Sequence, residues 1–365
     1  MKFVRKNEAE QNLPNTVLRI SQDRGMWPKD CLYNRCMTIT ETCPFSELTP
    51  DFVLDALDSV GVRGDGRLLA LNSYENRVYQ VGIEDAPSLV VKFYRPNRWS
   101  DSAILEEHAF VHELHEAEIP VVAALSLEGR TLHEFGEFRF AAFPMRGGRA
   151  PELEDPATLE WIGRLIGRIH AVGAQKRFEA RPTLGLQSFG VEPREYLLSH
   201  DFIPAGLLAA YESVTSQALK GVANCFERAG AVAPLRLHGD CHSGNMLWTD
   251  SGPHFVDFDD SRMGPAIQDL WMLLSGERAD MVSQLADILA GYEQFFEFDT
   301  RQLHLVEALR TLRLIHYSAW LAQRWNDPAF PVAFPWFGTE RYWQDRILEL
   351  REQIALMDEP PLWAA

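Results

Sequence analysis

Leu237-His238-Gly239-Asp240-Cys241-His242-Ser243-Gly244-Asn245-Met246-Leu247-Trp248, with Phe255-Val256-Asp257-Phe258-Asp259-Asp260 just beyond it, decides how this chain is read. One carboxylate, Asp240, stands five residues before a carboxamide, Asn245, and a second carboxylate, Asp257, follows on the next apolar run. The flanks Met246-Leu247-Trp248 and His254-Phe255-Val256 predict two short strands joined by a turn at Asp250-Ser251-Gly252-Pro253. Both polar clusters then lie at one edge of a buried hairpin. An acid to orient a hydroxyl, beside oxygen ligands for a hard divalent cation, is the set that phosphoryl transfer from a nucleotide requires.

Moving upstream, Val90-Val91-Lys92-Phe93 places one lysine in an apolar strand. Alone it is an ordinary solvated cation. The helix that follows, with Ile104-Leu105-Glu106-Glu107, supplies a carboxylate that can hold the ammonium toward nucleotide phosphates. Glu107 is the choice and Glu106 the alternative, because adjacent helical positions point about 100° apart. Asn72-Ser73-Tyr74-Glu75-Asn76 sits between two predicted strands, where a kinase carries its phosphate-covering loop. It has no glycine, so by composition it is a polar hairpin turn; Ser73 and nearby amides are its possible phosphate donors.

These pieces lie on a chain that divides in two. Thr49–Val60 predicts a helix with Thr49 as cap and Pro50 in the first turn. Strands are expected at 67–71, 77–82, 89–93, 132–135 and 138–143, with a helix at 102–117. This makes an N-terminal half (49–143) of about five mostly antiparallel strands and one main helix. Residues 144–151, with Gly147-Gly148, predict a hinge. The remainder, 152–365, is a larger, mainly helical half with the catalytic and metal loops, its helices near 156–175, 204–228, 266–274, 279–296, 301–324 and 339–356. Gly163-x-x-x-Gly167 in the first of these implies close helix packing in water rather than membrane dimerisation, given the charges around it. Residues 1–48 lack periodicity and are expected to form a loosely held extension, with Met37 as a candidate translation start.

Composition sets bounds. With 365 residues and 46% hydrophobic content, the chain can bury one large core or two smaller ones. A net charge of -17 argues against general affinity for nucleic acid or an anionic membrane. No apolar run reaches the roughly 18 residues a membrane helix needs, and Met1 to Ser21 lacks a signal peptide's apolar core. The five cysteines are odd in number and scattered, which fits free thiols in the cytoplasm. Cys241 is expected to be buried and inert; an oxidation-sensitive switch is the alternative, refuted if Cys241→Ser leaves peroxide sensitivity unchanged.

Several resemblances to other sites fail. His238, Cys241 and His242 lack a fourth zinc ligand, so His238 is expected to orient the loop. Gly64-Asp65-Gly66 lacks the third glycine of a dinucleotide fingerprint, and no Gly-Lys-Ser/Thr phosphate loop occurs. Asp259 and Asp260 stay ambiguous, one of them a candidate acid beside the metal. Asp269 is expected to brace the catalytic loop or cap a helix.

The set Lys92, Glu107, His238-Gly-Asp240-x4-Asn245 and Asp257 resembles the aminoglycoside phosphotransferase and choline kinase branch of the protein-kinase-like fold. Leu71–Tyr79, Val91–Pro96, Leu235–His242, Gly264–Leu274, Trp325–Pro331 and Phe334–Trp336 are similar to bacterial stress-response kinases within it. The likeness covers roughly 46–362. It implies an α+β, two-lobed, monomeric cytoplasmic enzyme that transfers the ATP γ-phosphate to protein Ser/Thr hydroxyls, its own included, in envelope or oxidative stress. Carried over by position, Asp240 accepts the hydroxyl proton, Asp257 is the second catalytic acid, Asn245 and Asp257 bind Mg²⁺, and Ser73, Lys92 and Glu107 serve ATP. Phe143-Pro144-Met145-Arg146 is expected to meet adenine through its backbone. Two other readings are a small-molecule kinase of the same fold, for an amino alcohol, sugar or aminoglycoside, and a nucleotide-binding pseudokinase scaffold. Net charge does not separate basic peptides from cationic small substrates.

Overall fold

A computed structural model describes residues 44–250 and 252–362, so the possible start at Met37 and most of the predicted extension lie outside the described residues. Helix α1 (Pro50–Asp58) begins where Thr49 accepts a hydrogen bond from the Phe52 amide, and it buries Val53, Ala56 and Leu57. Three antiparallel strands follow, β1 (Gly64–Leu71), β2 (Arg77–Ile83) and β3 (Ala86–Phe93). Helix α2 (Asp101–Glu116) is capped by Ser100. Then β4 (His133–Phe135) and β5 (Phe138–Pro144) complete a sheet of order β1-β2-β3-β5-β4. Its central strand is β3, and the register sets Lys92 between Val78 of β2 and Ala141 of β5.

One face of this sheet meets α1 in a cluster that includes Val81, Val91, Phe93 and Phe140. Phe45 belongs to that cluster and stacks on Phe138 at 5.9 Å, with Arg77 over its ring. The folded lobe thus begins at least four residues before the expected boundary at 49. A single phenylalanine in an irregular stretch carries no period, so its anchoring role left no sequence signal.

After this sheet, α3 (Pro156–Gly173) starts at an Asp155 cap and lies on a later helix at Arg278–Tyr292. Next come α4 (Glu192–Ser199), preceded by a π-turn at Gln187–Val191, α5 (Ala205–Ala229), and β6 (Leu235–Leu237). The predicted hairpin is β7 (Met246–Thr249) and β8 (Gly252–Phe255), while β9 (Arg262–Gly264) pairs with β6. Helices α6 (Ile267–Trp271), α7 (Arg278–Tyr292), α8 (Val306–Gln323), α9 (Ala329–Ala333) and α10 (Glu340–Asp358) finish the chain. The architecture is the expected two-lobed α+β fold. Two cores hold the helical lobe, one around α3, α6 and α7 and one, rich in aromatics, around α5, α8 and α10.

Gly163 and Gly167 let α3 and α7 touch backbone to backbone: a Cβ on either would run into the carbonyl of Ile288 or Tyr292. Close packing within the fold is therefore their role. The segment expected to form a hinge, 144–151, is tied down at its far end, where Arg149 and Trp248 exchange backbone hydrogen bonds and Gly148 lies against Leu247. The segment after β5 and the β7–β8 hairpin are thus one connected surface.

Candidate active site

The loop after β6 is held from below. Asp269 accepts hydrogen bonds from the amides of His238 (2.8 Å) and Gly239 (2.9 Å), and His170 meets the same carboxylate at 3.1 Å. All three are buried, and Tyr292 completes the chain by bonding His170. Asp269 is therefore the expected brace. His238 spans to the Val256 carbonyl at 2.9 Å, coupling this loop to the strand end that carries Asp257. Gly239 adopts φ +86°, where an L side chain would also strike the Asp260 carbonyl.

Asp240 emerges from this support a quarter exposed. The Asn245 amide donates to its backbone carbonyl at 2.9 Å and to its carboxylate at 3.4 Å, closing the five-residue loop. Arg313 of α8 donates to the other carboxylate oxygen at 2.8 Å, and His242 lies 3.4 Å away. Burial opposes ionisation here, but Arg313 and then His242 outweigh it and hold the carboxyl well below the ordinary range. Cys241 beside it is buried, and burial pushes its thiol well above the usual value, so it is the inert thiol expected.

Lys92 reaches across from the sheet. Its ammonium lies 2.9 Å from Asp259 and 3.3 Å from Asp257. Burial disfavours that charge, yet Asp259, Asp257 and Glu107 together keep its pKa well above the ordinary lysine value. Glu107 is buried nearby, but its ion-pair partner is Arg181 at 2.9 Å. The expected direct pair of Lys92 with the α2 carboxylate is replaced by the acids of 257–259, which sit closer to the ammonium. Glu106 faces the other way and accepts the amides of 179–181, which removes it as the alternative.

The donors present fit a divalent cation. Asp257 has φ 60° and ψ 62°, and this left-handed turn leaves its carboxylate 57% exposed. Asn245 uses its NH₂ on Asp240, so its amide oxygen has no hydrogen bond among the described residues and points away from that contact. No three-residue His/Cys/Asp/Glu cage exists among the described residues. Mg²⁺ does not need one, since it takes one or two protein oxygens and fills its shell with phosphate and water.

Ser73 is half-buried with no hydrogen-bond partner among the described residues. Its neighbours are anchored to the helical lobe: Tyr74 packs on Phe334, Glu75 accepts from Trp320 and Arg324 at 2.5 Å, and Asn76 donates to Asp259 at 3.2 Å.

The phosphotransferase enzyme family, as a sequence profile, matches residues 67–306. The chain belongs to that family. This phosphotransferase is 48% identical over 318 residues to stress response kinase A of Escherichia coli (strain K12), covering 87% of this chain and 96% of that protein. It matches the serine/threonine protein kinase RdoA of Salmonella typhimurium (strain LT2) to the same extent. Among solved structures, an amicoumacin kinase complex with AMP-PNP and Ca²⁺ superposes with a TM-score of 0.64 at 18% identity, covering 82% of this chain and 90% of that one. A microcompartment-associated aminopropanol kinase gives 0.61 at 19%, over 80% and 91%. At those identities the structures attest the fold alone.

Sequence reasoning left four groups of this phosphotransferase unassigned. Asp259, ambiguous in the sequence, is buried among Lys92, Arg98 and Asn76, and those cations hold its carboxyl below the ordinary range against burial. Arg98 lies in an irregular segment, Arg181 in another, and Arg313 is one charge on a long helix. None sits in a motif. Only the doubled carboxylate Asp259-Asp260 in a mostly apolar run hinted that cations converge there.

Proposed function

We propose that this enzyme transfers the γ-phosphate of ATP to Ser/Thr hydroxyls of proteins, its own included, as a cytoplasmic monomer acting in envelope or oxidative stress. Asp240 accepts a hydrogen bond from the incoming hydroxyl and aims it. Lys92, held by Asp257 and Asp259, meets the nucleotide phosphates, with Glu107 supporting it through the local field. Ser73 and its neighbouring amides donate to phosphate oxygens from above. Asn245 and Asp257 would hold Mg²⁺, which supplies charge neutralisation between the phosphates when bound.

The observation that carries the chemistry is the meeting of two distant segments. Asp240 clasped by Asn245 lies on one lobe, and Lys92 crosses from the other to Asp257. The protein acceptor rests on the 48% identity to a relative named as a serine/threonine protein kinase. Transfer of labelled phosphate from ATP to protein, run beside amino alcohols and aminoglycosides, tests it. Asp240→Ala should lower kcat by about 10²–10⁴ while ATP affinity stays within a few-fold. Rapid small-molecule turnover without protein labelling would replace the protein-kinase reading with that of a small-molecule kinase.

A further inference from the structure

We propose that Arg313 of α8 is a specificity residue for the acceptor, selecting hydroxyls that have an anionic group beside them. The proposal rests on Asp240 being the residue that meets the hydroxyl. Arg313 donates to one carboxylate oxygen of Asp240 at 2.8 Å, and its side chain is 37% exposed. A guanidinium carries five N–H groups. Among the described residues the rest of this fork has no other acceptor. Any hydroxyl that reaches Asp240 must therefore arrive beside a cation with open donors facing solvent. On the opposite oxygen stands His242, 39% exposed and 3.4 Å away, a second N–H donor because its Nδ1 accepts from the Gly244 amide.

Two carboxylates of the lobe junction, Asp260 and Glu75, are already engaged by guanidiniums, and the exposed Asp257 faces Lys92. Asp260 faces Arg98 at 3.0 Å and Arg262 at 2.5 Å. Glu75 faces Arg95 at 3.1 Å and Arg324 at 2.5 Å. An ammonium placed beside the acceptor hydroxyl would meet guanidinium, and a like-charge contact in a partly desolvated mouth is costly. Despite the overall charge of -17, the solvent-facing group beside Asp240 is a guanidinium. An acidic side chain or carboxylate next to the hydroxyl instead completes the Arg313 fork in the planar geometry that guanidinium favours.

The test uses the full chain with ATP and Mg²⁺ and acceptors matched in everything but charge. One arm compares serine peptides flanked by Glu with the same peptides flanked by Lys; the other compares glycerate with ethanolamine. In whichever arm turns over, kcat/KM should favour the anionic member by about tenfold or more, and added salt should shrink the ratio. Arg313→Gln should bring the ratio toward one, and Arg313→Lys should keep its direction. If Arg313→Gln turns over too slowly, inhibition by peptides with Ala for Ser supplies the same comparison. Equal or better use of cationic acceptors overturns the proposal, as does a ratio unmoved in Arg313→Gln. Which arm turns over decides between protein and small-molecule kinase, so failure of that reading is separable from failure of this one.

Discussion

At Asp240 burial raises the cost of ionisation, and the charges of Arg313 and His242 more than offset it. The carboxylate is therefore ionised throughout the physiological range, and in the proposed function its work is to aim a hydroxyl rather than to take a proton early. The sign of the pH dependence follows. A folded pKa held far below neutrality keeps the active form present down to acid pH, so kcat should show no acid limb from this group between about pH 5 and 8. Arg313→Gln removes the largest charge that lowers it, leaving burial to push the pKa upward. Single-turnover rates across pH should then show an acid limb displaced upward in the variant. Coincident profiles would mean that Arg313 does not set the ionisation of Asp240.

Helices α3 and α7 show how a short motif acts through an element. Gly163 brings the α3 backbone against the Ile288 carbonyl, so Gly163→Ala must push the helices apart. Overpacking of this kind costs about 1–3 kcal/mol, and thermal unfolding should report it as a Tm lowered by several degrees. Helix α2 carries a different sensitivity. His108 is buried between Tyr94 and Thr131, and burial first, then Lys92, lowers its pKa to about 3. The native state thus binds fewer protons than the unfolded chain, whose histidine titrates near 6.5. The stability this gives is fully present above that value and is lost as pH falls toward 3, at about 1.4 kcal/mol per pH unit. Denaturation at pH 7 and pH 5 should show a smaller loss in His108→Gln than in the wild type; equal losses would assign the effect elsewhere. Periodicity and caps made these helices legible, and α2 was placed within a residue of its limits. The facing of Glu106 and Glu107 was not, because it depends on where the loop at 179–181 and Arg181 come to rest. Helix α4 and its π-turn were missed for a related reason, since Glu192-Pro193-Arg194 shows no apolar face of its own.

Across the whole molecule, the two lobes are joined by charge as much as by apolar contact. Glu75 of the β1–β2 loop meets Trp320 and Arg324 of the α8 end, and Arg95 after β3 meets Asp327 at 2.7 Å. Asn76 and Arg98 bring the N-terminal lobe onto Asp259. The sequence showed the two halves and the chemistry in each, since Asp240, Asn245 and Asp257 are close in the chain and Lys92 lies in a strand pattern. It could not show this junction, whose partners lie up to 250 residues apart and follow no period. The junction matters because it fixes the loop bearing Ser73 to the helical lobe, with Asn76 on the same Asp259 that Lys92 meets. Removing the Glu75 charge leaves Arg324 without its carboxylate in a largely buried setting while Arg95 keeps Asp327, and breaking a buried pair costs up to about 3–5 kcal/mol. The loop should then leave the α8 end, and the hold on phosphate proposed for it should loosen. In Glu75→Gln the KM for ATP should rise by more than kcat falls, and amides of residues 72–76 should exchange hydrogen faster than in the wild type. Protection of 72–76 left intact, with ATP KM unchanged, would mean that the apolar contact of Tyr74 with Phe334 suffices to hold the loop and that the charges serve only to join the lobes.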